Sequence, residues 1–160
     1  MKWIQIKDVD DYALSRTETP NFKLNEFYNA STPNQEFSYP RPLIYAVQIF
    51  RDWICDAVFI TSTYREFSVG AHKERLAIDF VSSQSFTTKF HNSVMNWILK
   101  EESSLIYKLR ESGITGFGLE PFCIHLDCGD YGFDKRIHHQ DSFGTYTAFE
   151  WNGVDVNRSI

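Results

Sequence analysis

The sequence predicts an α+β domain, and three observations carry that expectation. Residues 43 to 54 place Leu43, Val47, Phe50 and Ile54 at helical spacing. Two separate stretches, "LAIDFV" (76–81) and "FCIHLD" (122–127), alternate apolar and polar residues with the two-residue period of a strand. Glycine-, proline- and serine-bearing turns separate these runs. At 160 residues the chain suits one domain (1–160), long enough to bury about two thirds of its unfolded surface.

In chain order, residues 1–21 read as a polar lead-in with one short apolar patch. "NFKLNEFYNAS" then reads as a loop or short turn anchored by Phe22, Leu24 and Phe27. After "YPRP" the helix begins near Pro42, where a ring at the first turn is tolerated. "AVFITST" (57–63) is β-branched and aromatic and reads as a buried strand, followed by the polar loop "YREFSVGAHKER". In "LAIDFV" the alternation sets Leu76, Ile78 and Phe80 on one face and points Asp79 to the other.

From Phe86 to Arg110 the stripe is helical, as one helix or two broken near "EESS", and Gly113 ends it. "ITGFG" and "FCIHLDCG" read as two strands, the second carrying His125 and Asp127 on one face. A last strand, "TYTAFEW" (145–151), closes the sheet.

Composition narrows the functional classes. A formal charge of -5 argues against nucleic acid or an anionic membrane as partner, since both require a cationic face. Three cysteines, Cys55, Cys123 and Cys128, form no CxxC or Cys/His ligand spacing and read as reduced, with Cys55 and Cys128 assigned to packing and Cys123 to the cleft wall without ligating. The amino terminus carries three aspartates by residue 11 and no apolar run of seven, so no secretory signal is expected. No stretch approaches the roughly 18 apolar residues of a membrane span. "IHHQD" (137–141) reads as a surface or cleft-rim segment, because adjacent strand histidines face opposite ways.

One constellation points to chemistry. His72 lies in a loop, Asp79 in the strand that loop leads into, and His125 in a later strand beside Asp127. Two imidazoles and a carboxylate form a catalytic-type zinc set that leaves a fourth position for water. Zinc so held keeps a residual positive charge, lowering the pKa of its water to about 7 and polarising a carbonyl.

The segments "NFKLNEF", "LIYAVQIFRDWI", "FITSTYRE", "AHKERLAIDF" and "GFGLEPFCIHLDCG" occur in an order that resembles the zinc D-Ala-D-Ala carboxypeptidase family, in its peptidoglycan-cleaving branch of bacteria and phages. The resemblance spans residues 21 to 130. It implies a Hedgehog/DD-peptidase-like α+β fold, with a central antiparallel sheet and helices packed on one side, a core over 22–130, and a C-terminal extension over 131–160.

It also implies a Zn2+ site of His72, Asp79 and His125, with Arg65, beside Tyr64, pairing with a substrate carboxylate as a bidentate guanidinium does. Asp127 would contact the metal-bound water or orient a ligand. As general base, Asp127 ranks first and Glu120, five residues before His125, second.

Three positions depart from the family pattern: Thr63 stands at the Gly of SGYR, Gly70 at the Ser of SxH, and Arg75 at the Gly of HxxG. An arginine adopts φ > 0 only at a cost, so the departures bear on activity more than on metal binding.

The resulting expectation is a zinc hydrolase that cleaves an amide of a peptidoglycan stem peptide. Such an enzyme would be made in the cytoplasm and act at the wall after release, or ride in a virion beside other virion proteins. The alternative is a non-catalytic zinc-binding or virion structural module on the same fold.

Overall fold

The computed structural model describes residues 1, 3–6, 19–34, 37–82, 104–120, 123–129, 136–140, 146–150 and 158–159. Its elements are β1 (Trp3–Ile6), α1 (Leu24–Asn29), β2 (Phe37–Pro40), α2 (Arg41–Ile54), β3 (Val58–Ser62), a 3-10 turn (Gly70–His72), β4 (Ala77–Ser82), α3 (Ser104–Ser112), β5 (Gly116–Leu119), β6 (Ile124–Asp127), β7 (Arg136–Gln140), β8 (Tyr146–Glu150) and β9 (Arg158–Ser159). The α+β class expected from the pattern is present.

Helix α2 begins where the sequence places it, with Pro42 in its first turn, and ends at Cys55 in the left-handed conformation with φ 52°. The predicted stripe is its buried face, with Leu43, Val47 and Phe50 removed from solvent. Phe50 packs its ring 5.0 Å from Phe80 of β4 and 6.3 Å from Phe117 of β5, which seats the helix on one face of the sheet. Contacts of α2 with α3 place both helices in one layer.

Strands β3, β4, β6, β5, β7, β8 and β9 follow one another across a single sheet. Every pair is antiparallel except β5 with β7, which run parallel because β7 lies beside β5 and not beside β6, the strand it follows. Strand β8 is the predicted "TYTAFEW" strand, but β9 pairs beyond it. No described helix is long and apolar enough to cross a membrane.

Several expectations need correction. Trp3–Ile6 is not a lead-in: it pairs antiparallel with Phe37–Pro40 in a separate two-stranded ribbon. The segment expected as a loop near Leu24 is helical, and Glu26 Oε1 accepts the Lys23 amide at 2.9 Å, satisfying one orphan donor of its first turn. Its anchors Phe22, Leu24 and Phe27 are buried as expected. Cys55 is exposed at the end of α2, its Sγ 3.3 Å from the Asp52 carbonyl, and is not a packing residue; Cys128 is buried. Of the helix expected from Phe86 to Arg110, residues 86–103 lie outside the described residues.

Candidate metal centre

Strand pairing builds the site. Ile78 and Phe80 of β4 are fully buried in the core, so Asp79 between them projects from the opposite face of the sheet. On β6, Ile124 and Leu126 do the same, and register sets His125 directly across from Asp79. The side chains of an antiparallel cross-strand pair lie close enough to interact, so this register alone brings the carboxylate and imidazole together.

The third residue arrives from the loop. A register shift between Ile60 and Ser62 interrupts the β3–β4 ladder just before Thr63, whose carbonyl meets His72. The 3-10 turn Gly70–His72 starts at a glycine with φ 73°, and the Leu76 amide returns to the Ala71 carbonyl at 2.8 Å. The backbone is thereby folded so that His72 is buried beside Asp79.

His72 Nε2 lies 3.1 Å and His125 Nδ1 2.8 Å from the same oxygen, Asp79 Oδ1. Ligand atoms of the three residues all fall within 4.8 Å of one another, a group able to hold a metal ion. The other nitrogens are occupied: His72 Nδ1 donates to the Thr63 carbonyl at 2.6 Å, and His125 Nε2 faces Asp127 Oδ2 at 3.5 Å. With Nδ1 committed to the Thr63 carbonyl, Nε2 is the nitrogen that His72 turns to the cluster and would offer to a metal. Two imidazole nitrogens and one carboxylate oxygen converging, with His72 and Asp79 buried and His125 half-buried, fit a small divalent cation.

The electrostatics agree. Burial works to raise the Asp79 carboxyl, but hydrogen bonds from His125 and His72 outweigh it and hold the group well below the usual carboxylate range. Burial likewise disfavours a charged His125, yet its bonds to Asp127 and Asp79 push it up to about 10. In the metal-free protein the cluster keeps a proton that a cation would displace.

The other candidates divide. Arg65 joins the cluster, with Nη2 2.7 Å from Asp79 Oδ2, so it grips the carboxylate oxygen that the histidines do not. Its side chain remains 42% exposed, leaving part of the guanidinium toward solvent. Tyr64 takes a packing position, its ring 5.7 Å from Phe37 and under the Arg75 guanidinium. Glu120 follows β5 and accepts from Cys123 Sγ at 3.4 Å. The Cys123 thiol is pushed up by burial first and then by Asp79 and Glu120.

Thr63, Gly70 and Arg75 are each accommodated by the structure. Thr63 is fully buried, donates from Oγ1 to the Phe27 carbonyl at 2.9 Å, and accepts His72 with its own carbonyl. Gly70 supplies the positive φ that opens the turn. Arg75 does adopt a left-handed backbone, φ 64°, with its guanidinium 5.0 Å from the Tyr64 ring and 5.7 Å from that of Phe37.

Sequence reasoning missed the Thr63 carbonyl and Gly116. The second left a signal, since glycine inside a strand marks a close approach. A Cβ at Gly116 would sit 2.0 Å from Asp127 Oδ2. No family model, curated protein or solved structure matches the chain.

Proposed function

We propose that the protein is a zinc-dependent hydrolase that cleaves an amide bond in peptidoglycan stem peptides, as a carboxypeptidase or endopeptidase. One observation carries the reading: His72 Nε2, His125 Nδ1 and Asp79 Oδ1 converge at one point, with an arginine beside it. This is the donor chemistry of a hydrolytic zinc site that keeps a position for water. Zinc bound there would polarise the scissile carbonyl and bring the pKa of a coordinated water to about 7.

The chain's own residues supply the rest. Asp79, gripped by Arg65 on one oxygen, offers the other as a ligand in a fixed orientation. The exposed part of Arg65 is suited to a substrate carboxylate. Glu120, which accepts from Cys123 Sγ beside the start of β6, is the carboxylate we assign to moving a proton from the water to the leaving amine. The role we assign is wall lysis, after release or from a virion.

The test is digestion of defined muropeptides by zinc-loaded protein, read by mass. New amine-bearing fragments from the wild type, lost in His72→Ala, are expected. Stoichiometric zinc with no cleavage, in the wild type as in the variant, makes the domain a zinc-binding module without this activity.

A further inference from the structure

Asp127 ends β6 two residues beyond His125, and the register places it between Ala77 of β4 and Gly116 of β5. Its carboxylate is seated and not free to roam. Oδ1 accepts from Thr115 Oγ1 at 3.2 Å and from the Gly129 amide at 3.3 Å, and Oδ2 faces His125 Nε2 at 3.5 Å. Beneath it the sheet has no side chain: a Cβ on Gly116 would overlap both carboxylate oxygens, at 2.0 and 2.9 Å. The neighbouring strand thus leaves a cradle of the right size for this one group.

The cradle fixes which nitrogen of His125 meets the carboxylate. Nε2 points to Asp127 and Nδ1 to Asp79 Oδ1, so the two carboxylates hold opposite edges of the ring. A carboxylate on the remote nitrogen sets both tautomer and ring orientation of a metal-binding imidazole. The same division holds at His72, whose remote nitrogen is taken by the Thr63 carbonyl.

We infer that Asp127 is a positioning residue: seated over Gly116, it holds His125 by Nε2 so that Nδ1 is presented to the metal. This rests on the reading of the cluster as a metal site, and it assigns Asp127 to the ligand and not to the water.

The experiment measures metal directly, by competition of the 160-residue chain with a chromophoric chelator for zinc and by the visible absorption of the cobalt(II)-loaded form. Asp127→Ala is expected to weaken zinc binding about 10- to 100-fold and to alter the cobalt spectrum. Asp127→Asn, which keeps an acceptor oxygen, is expected to recover part of both. Gly116→Ala, which changes no charge but fills the cradle, is expected to resemble Asp127→Ala. An Asp127→Ala protein with wild-type zinc affinity and cobalt spectrum overturns the inference alone. A wild type that takes up neither metal overturns it together with the reading beneath it. Because the readout is metal binding, the result stands whether or not peptidoglycan is cleaved.

Discussion

Arg75 holds a left-handed backbone, φ 64°, directly beside Tyr64, whose ring its guanidinium covers at 5.0 Å. The two facts offset each other. A non-glycine residue in that conformation costs about 1 kcal/mol, and a cation over an aromatic ring returns about 0.5 to 2 kcal/mol depending on burial. Arg75→Ala keeps the strain and loses the stack, so thermal denaturation should show a loss of about 1 kcal/mol. Arg75→Gly loses both and should lie above Arg75→Ala by about 1 kcal/mol. Equal stability of the two variants contradicts a strained loop.

Thr63 invites a second substitution. Its hydroxyl is fully buried and donates to the Phe27 carbonyl. Thr63→Val preserves shape but leaves that carbonyl unpaired, a penalty of about 1 to 3 kcal/mol. Chemical denaturation should register that loss with an unchanged slope. Zinc affinity should fall less, since the backbone carbonyl that holds His72 survives the change.

The residues legible in the sequence were those governed by short-range periodicity. Alternation in "LAIDFV" and "FCIHLD" aimed Asp79 and His125 away from the core, and register then joined them. Helix α2 was equally readable, from four apolar residues on one face. What stayed hidden depends on partners far along the chain. Trp3–Ile6 is a strand only because Phe37–Pro40 pairs with it, more than thirty residues away. Arg65 appeared as a substrate residue, but its grip on Asp79 is set by how the loop folds back over β4. The Thr63 carbonyl is a backbone group, and side-chain motifs carry no mark of it.

Acidity and alkalinity should act on the metal-free protein through the same cluster. His125, pushed up to about 10 by Asp127 and Asp79 against the opposing effect of burial, is raised above its unfolded value of about 6.5. A raised pKa means that the folded protein binds a proton more tightly than the unfolded chain. Its stabilisation is therefore complete below about pH 6.5 and is lost as pH rises toward 10. Asp79, held below the usual carboxylate range, adds stability above about pH 4 that is lost as acid protonates it. Metal-stripped protein should be most stable between these windows, near pH 5 to 6. A melting temperature that climbs from pH 6.5 to 10 contradicts the assignment.

Metal should reverse the alkaline trend. Binding displaces the proton from His125 Nδ1, so affinity rises with pH over the range in which the metal-free protein weakens. At a free concentration 100 times Kd, binding stabilises the fold by about 2.7 kcal/mol, a rise of roughly 5 to 10 °C in a chain of this size. Two imidazole nitrogens favour zinc or cobalt over magnesium and calcium, which prefer oxygen. Scanning calorimetry should show the shift with zinc and cobalt, none with magnesium at equal concentration, and none with zinc in His125→Ala. A magnesium shift equal to that of zinc, or a zinc shift that survives His125→Ala, places the metal elsewhere.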